Sequence, residues 1–188
     1  MPDGRDAALA ALFDTHFESV LAYARRRTPQ LSDAEDLAAE TFAVAWRRLE
    51  RVPQAPEQQL PWLYGVARRL LANQRRGANR RVRLVERLRS TFSASAGPMQ
   101  SAGPMHDVAA ALGRLPERDQ ELLRLIAWEG MTHAEVGTVL GISPNAVAIR
   151  LHRVRERLKR ATKDPARIRT FPGWKGSVST PDHGEEAR

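Results

Sequence analysis

The residues in this 188-residue chain best suited to chemistry are cations at helical spacing, and the chemistry they suit is neutralisation of phosphate. The stretch THAEVGTVLGISPNAVAIRLHRVRERLKR, Thr132 to Arg160, carries Arg150, Arg153, Arg155, Arg157, Lys159 and Arg160. These alternate with Ile142, Val147, Leu151, Val154 and Leu158, an apolar stripe at three- and four-residue spacing. A second cluster lies upstream: Arg68, Arg69, Arg75, Arg76, Arg80, Arg81, Arg83, Arg87 and Arg89, with Glu86 as the one acidic residue among them. Guanidinium groups so crowded repel one another unless an anion lies against them. Each phosphate neutralised on duplex DNA would add roughly −0.9 to the slope of log affinity against log salt.

A basic helical face is often no more than a solvated surface, so the elements that carry the cations decide the reading. In the downstream stretch, one helix is predicted from His133 to Leu140 and another from Pro144 to about Ala161. Gly141 stands where a helix stop and a tight turn are needed, and Ser143-Pro144 supplies an N-cap side chain followed by proline at the first helical position. Two helices meeting at such a corner form a helix-turn-helix, whose second helix enters the DNA major groove.

The helix opened by Pro61 carries the upstream cations, with Trp62, Leu63, Val66, Ala67, Leu70 and Leu71 as its core face. Trp62 and Tyr64 could stack on unpaired bases, although helical spacing also suits Trp62 to a core. Before it lies a proline-punctuated loop, residues 50–60. An acidic patch stands out against the basic remainder: Asp33, Glu35, Asp36 and Glu40. Carboxylates favour a helix N-terminus by about 0.3–1 kcal/mol each, which accounts for the first three but leaves Glu40, a turn further in, unexplained. A cationic protein surface is the competing account. Ser32 and Glu35 together predict a capping box at the start of this helix, which runs to about Leu49. The first helix spans residues 7–28 and ends on Arg25-Arg26-Arg27.

Composition narrows the choices. The net charge of +8 points to a polyanion, either nucleic acid or an acidic membrane surface. No apolar run approaches the ~18 residues of a membrane-spanning helix, and the N-terminus lacks a signal-peptide layout, so a cytoplasmic protein is expected. Cysteine is absent, which removes disulfides, thiolate metal sites and cysteine nucleophiles. His133-Ala-Glu135 therefore does not complete a zinc deaminase signature, which needs a downstream cysteine pair. With no Gly-rich phosphate loop, metal cluster or nucleophile constellation, neither an enzyme nor a cofactor is expected.

The expected architecture is all-α: two small helical domains joined by a flexible linker, the second a helix-turn-helix domain. The first covers residues 7–89. Residues 90–106 contain SAGPMQ followed at once by SAGPMH, a tandem repeat with nothing to build a core. Its root-mean-square span as a tether would be on the order of 20 Å. The second domain covers residues 107–163, with a helix face from Leu122, Leu123, Leu125, Ile126 and Trp128, and a mobile tail is expected over 164–188.

Four motifs in this order, DAEDLAAETFAVAW, WLYGVARRLLANQRR, LPERDQELLRL and the helix-turn-helix, give a specific likeness over roughly residues 10–162. The chain resembles an RNA polymerase sigma factor of the extracytoplasmic-function group. The resemblance implies that core RNA polymerase docks on the helix carrying Asp33, Glu35, Asp36, Glu40, Phe42 and Trp46. It implies that the Pro61–Arg76 helix, with the preceding loop, opens and reads the −10 promoter element through Trp62, Tyr64, Arg68, Arg69, Asn73, Arg75 and Arg76. The helix-turn-helix would read the −35 element with Ser143, Asn145, Arg150, His152, Arg153 and Arg157. An anti-sigma factor is a further partner the resemblance allows. In many relatives an asparagine lies near the position of Arg69; here Asn73 is the nearest amide. Relatives often carry a basic residue and a serine after the valine of the recognition helix, where this chain has Ala148-Ile149. Two other readings remain beside this one. A stand-alone helix-turn-helix regulator would want a dimerisation surface or ligand pocket, and a helical protein that sequesters a transcription factor would leave both arginine clusters unexplained.

Overall fold

The computed structural model describes residues 4–89 and 112–161, with side chains for 4–77 and 112–160. The linker and tail expectations, and the side chains of Arg80 to Arg89, lie outside the described residues. Among those described there are six α-helices and no strand: α1 (Gly4–Arg25), α2 (Leu31–Arg47), α3 (Pro56–Arg89), α4 (Glu117–Ala127), α5 (His133–Leu140) and α6 (Pro144–Ala161), with a 3-10 turn at Leu49–Arg51. They group into two compact units. One holds α1–α3 together with Met131–Ile149; the other holds the described residues within Ala102–Gly130 and from Arg150 onward.

In the first unit, α1, α2 and α3 pack pairwise. Their apolar faces follow from the sequence periodicity: Val20 and Ala24 on α1, Leu37 and Ala45 on α2, Leu63 and Ala67 on α3 are all fully buried. An aromatic cluster joins α1 to α2, with Phe42 buried and Phe13 40% exposed. Phe13 stacks on Phe17 with ring centroids 4.5 Å apart, and Phe42 tilts against Phe13 at 5.0 Å. Another part of the core is a three-layer stack. Tyr64 stacks on Tyr23 with ring centroids 4.5 Å apart, and the Arg27 guanidinium lies over the Tyr23 ring at 3.5 Å from its centre. The Tyr64 hydroxyl donates to the Ser19 carbonyl at 3.2 Å, so its one polar atom is satisfied inside the core.

Several helix ends differ from expectation. Helix α1 stops at Arg25, and Arg27, beyond it, is buried rather than solvated as a terminal cation. Its Nη1 donates to the Tyr23 carbonyl at 3.0 Å, and the tyrosine face supplies a cation–π contact. Helix α2 starts at Leu31 after Gln30 in extended conformation, with no side-chain cap; Ser32 falls inside the first turn, where its hydroxyl cannot act as an N-cap. Helix α3 starts at Pro56, five residues before the expected Pro61, and the loop shrinks accordingly. Proline suits the first helical position, where no intrahelical N–H bond is lost. Pro61 sits inside the helix, where its ring forfeits one bond to the carbonyl of residue 57.

Helix α5 lies along α3 within the same unit, at a glycine. A Cβ at Gly65 would stand 3.7 Å from the Val139 carbonyl oxygen and 3.8 Å from that of Thr138. In the second unit Leu115, Leu122, Leu125, Leu151, Val154 and Leu158 are buried, whereas Trp128, expected on the apolar face of α4, is 48% exposed. It is the C-cap of α4, its N–H still donating to the Arg124 carbonyl at 2.9 Å.

Candidate nucleic-acid interface

The helix-turn-helix corner is built from backbone requirements. Thr132 caps α5: its hydroxyl accepts from the Glu135 N–H at 3.3 Å, while the Glu135 carboxylate accepts from the Thr132 N–H at 2.7 Å. This is a reciprocal capping box, with its signature in Thr132-His133-Ala134-Glu135. Gly141 ends α5 in the left-handed region at φ 70°, a conformation costly for residues with a Cβ. The Gly141 and Ile142 N–H groups both donate to the Gly137 carbonyl, at 2.8 and 3.0 Å. Those bonds fold the turn back over α5 so closely that a Cβ at Gly137 would lie 2.7 Å from the Ile142 carbonyl oxygen. Ser143 then caps α6, its Oγ accepting from the Ala146 N–H at 3.2 Å.

Helix α6 sorts its side chains by period. Val147, Leu151, Val154 and Leu158 are buried. Ser143, Asn145, Ile149, His152 and Arg153 are exposed. Of these, 145, 149 and 153 follow at four-residue steps and 152 lies three beyond 149, so they share one face. Arg150 and Arg157 are held differently. Asp119 on α4 is only 4% exposed and faces both: Arg150 Nε donates to its Oδ1 at 2.7 Å and Arg157 Nη1 to its Oδ2 at 3.0 Å. One carboxylate thus ties two arginines a double turn apart on α6. Both were expected at the DNA; here each guanidinium has this carboxylate as a protein partner, with the Arg150 side chain 32% and that of Arg157 58% exposed. Spacing from Asp119 is 31 and 38 residues, so no local pattern signalled it.

On α3, Trp62 is half-buried. Tyr64 is buried against Tyr23 and offers no ring face to a base, a correction to its expected stacking role. Arg69, Asn73 and Arg76 are exposed at four- and three-residue steps and form one stripe. Arg69 Nε donates to the Gly65 carbonyl at 2.8 Å, and an Arg76 guanidinium N–H donates to the Asn73 side-chain oxygen. Arg68 and Arg75 are half-buried. Arg75 reaches back to the Arg27 carbonyl at 3.2 Å, which ties α3 to the end of α1.

On α2, Asp33, Glu35, Asp36 and Glu40 are all exposed. Asp33, Asp36 and Glu40 fall on one stripe by helical spacing, and Glu35 stands to its flank. Phe42, expected at a polymerase contact, is buried in the aromatic cluster. Trp46 is half-buried under Arg5, whose guanidinium lies 5.3 Å from its ring centre. Neither aromatic stands free beside the acidic stripe.

Comparison with known proteins agrees with this arrangement. Residues 12–81 match the family described as Sigma-70 region 2, and residues 105–158 match Sigma-70, region 4. The chain is 28% identical over 148 residues to the ECF RNA polymerase sigma factor SigL of Mycobacterium tuberculosis, covering 78% of this chain and 84% of that one. It is 32% identical over 162 residues to the RNA polymerase sigma factor CarQ of Myxococcus xanthus, covering 84% and 90%. Its fold is similar to the sigma factor RpoE of Bartonella quintana, solved in complex with the anti-sigma factor NepR, with a TM-score of 0.55 and 23% identity over 79% of this chain and 92% of that one. Two helical units, a helix-turn-helix and these matches, with a 31% identity to the ECF RNA polymerase sigma factor SigD of Mycobacterium bovis over 81% of this chain and 76% of that one, lead to one assignment: the chain belongs to the sigma-70 family of RNA polymerase sigma factors, in the extracytoplasmic-function group.

Proposed function

We propose a division of labour for this promoter-recognition subunit among its exposed stripes. The acidic stripe of α2, Asp33, Asp36 and Glu40, docks on a cationic surface of core RNA polymerase. The Arg69–Asn73–Arg76 stripe of α3, flanked by Trp62, engages the −10 element as it opens. The exposed face of α6 reads the −35 element in the major groove, with Ser143 at its capped start. Residues 7–89 act as the first module and 107–163 as the second. Residues 90–106 tether them, so that binding by one raises the effective concentration of the other, and 164–188 form a tail.

The observation that carries this reading is charge segregation. In a chain of net charge +8, Asp33, Asp36 and Glu40 line up exposed on α2, while Arg69 and Arg76 line up exposed on α3. Opposite charges on separate stripes suit one protein partner and one nucleic-acid partner, because each stripe would repel the other's ligand. The subunit contributes recognition and strand opening with no catalysis of its own, and it works in the cytoplasm, where polymerase is. No helix among the described residues is long and apolar enough to cross a membrane. An anti-sigma factor is a fitting regulator, since the Bartonella quintana relative was crystallised with one.

The test is run-off transcription from genomic fragments with purified core polymerase. Addition of this protein should direct initiation at discrete start sites that core alone ignores. Absence of core binding, or of any start site, would refute the proposal.

A further inference from the structure

Ile149 is out of place by the ordinary logic of a surface helix. It is a large branched hydrocarbon, 47% exposed, on the polar side of α6. The buried stripe of that helix is already complete in Val147, Leu151, Val154 and Leu158. One turn before Ile149 stands exposed Asn145, and one turn after it stand exposed His152 and Arg153. The face is therefore an amide, a hydrocarbon, an imidazole and a guanidinium in a row, and Arg150, between them in sequence, is turned aside to Asp119.

Each of these groups has a complement on the edges of base pairs in the major groove. An asparagine amide matches the N6 and N7 of adenine, and an arginine matches the O6 and N7 of guanine. The hydrocarbon has one complement there, the C5-methyl of thymine, which is the apolar feature of an unmodified major groove. We infer that Ile149 is a specificity-determining residue that selects thymine at one position of the upstream promoter element by packing on its C5-methyl. The inference rests on α6 being the reader of that element. Contact with one methyl removes about one CH₂ equivalent of hydrocarbon from water, which favours thymine over its demethylated analogue by roughly fourfold.

Uracil provides the test, because it differs from thymine at that position by the methyl alone and pairs identically. Holoenzyme reconstituted from core polymerase and the full chain is used to select initiating templates from a pool randomised over the upstream hexamer. The thymines of the selected element are then replaced one at a time by uracil. The wild-type holoenzyme should lose roughly threefold to fivefold in initiation at one thymine. Ile149→Ala, at an exposed position that the fold does not use, should initiate equally from thymine and uracil there, and 5-methylcytosine in place of cytosine at that position should recover part of the wild-type signal. Uracil tolerated at every thymine by the wild type overturns the inference, as does unchanged thymine discrimination by Ile149→Ala. An Ile149→Ala defect of equal size on both templates overturns it too and places the side chain against a protein. A wild-type holoenzyme indifferent to the whole hexamer has a different signature: it removes α6 as the reader, and this inference with it.

Discussion

Replacing Asp119 by alanine removes a buried carboxylate that holds two cations, and the structure sets the size of the effect. Breaking a fully buried ion pair costs about 3–5 kcal/mol, whereas exposed pairs contribute about 0.2–1 kcal/mol. Asp119 belongs at the first extreme by its own burial, but its partners do not: the Arg150 side chain is 32% exposed and that of Arg157 58%. When the carboxylate is gone, both guanidinium groups can turn to water, Arg157 almost freely and Arg150 in part. The loss for Asp119→Ala is therefore about 2 kcal/mol, most of it through the 2.7 Å bond to Arg150. Arg157→Ala should cost only about 0.5 kcal/mol. Arg150→Ala falls between, because the carboxylate it abandons stays buried with one remaining partner. Native-state hydrogen exchange reads this locally. The amides of Leu122, Leu125, Leu151 and Val154 should exchange roughly 30-fold faster in Asp119→Ala, and those of α1 should keep their rates. A change below about threefold would mean that the pair is a solvated surface contact and not a clamp between α4 and α6. A second result would be equally damaging: Arg150→Ala that leaves exchange untouched while altering base preference upstream would return Arg150 to the DNA.

Other outcomes follow from the same geometry. Gly137→Ala should destabilise by about 1–3 kcal/mol in urea unfolding, because a Cβ 2.7 Å from the Ile142 carbonyl forces the turn to open; unchanged stability would show that the turn yields without cost. Asp36→Arg reverses one charge of the α2 stripe at an exposed site and should weaken core polymerase binding in a pull-down while the circular dichroism spectrum stays the same; undiminished binding would remove α2 from the docking surface. Glu156 accepts a hydrogen bond from Lys159 at 2.7 Å, and that bond, with the lysine charge, holds its pKa below the ordinary glutamate value. The folded-state pKa is depressed, so its contribution is present above the unfolded glutamate pKa and lost as pH falls through the folded one. A carbon-detected NMR titration should place the Glu156 midpoint lower than in Lys159→Ala, and equal midpoints would contradict the pairing.

The sequence by itself determined whatever is encoded within one or two turns of chain. The α5–α6 corner is such a case: Gly141, Ser143 and Pro144 act on their own backbone, and the helix bounds there agree with expectation. So do the exposed carboxylates of α2 and the buried stripe of α6, because an apolar period aims side chains regardless of what they meet. Helix starts were harder where signals competed. Ser32 and Pro61 are good start residues, yet Leu31 and Pro56 begin α2 and α3, since position in the turn and not residue type alone decides which backbone groups need partners.

Only the tertiary structure decided what borderline side chains do. Tyr64 and Phe42 are amphipathic or aromatic residues equally suited to a core or to a ligand. Tyr64 is buried against Tyr23 of α1, and Phe42 is buried beside the partly exposed Phe13 of the same helix. Arg150 and Arg157 belong to the same cationic run as Arg153, and nothing within α6 separates them. Asp119, 31 residues before the first, does so by presenting a buried carboxylate that accepts from both. The apolar period fixes where a side chain points, but the charge or ring that waits there comes from a distant part of the chain. That is why the arginines on the recognition helix were legible, while the pairing of Arg150 and Arg157 with Asp119 was not.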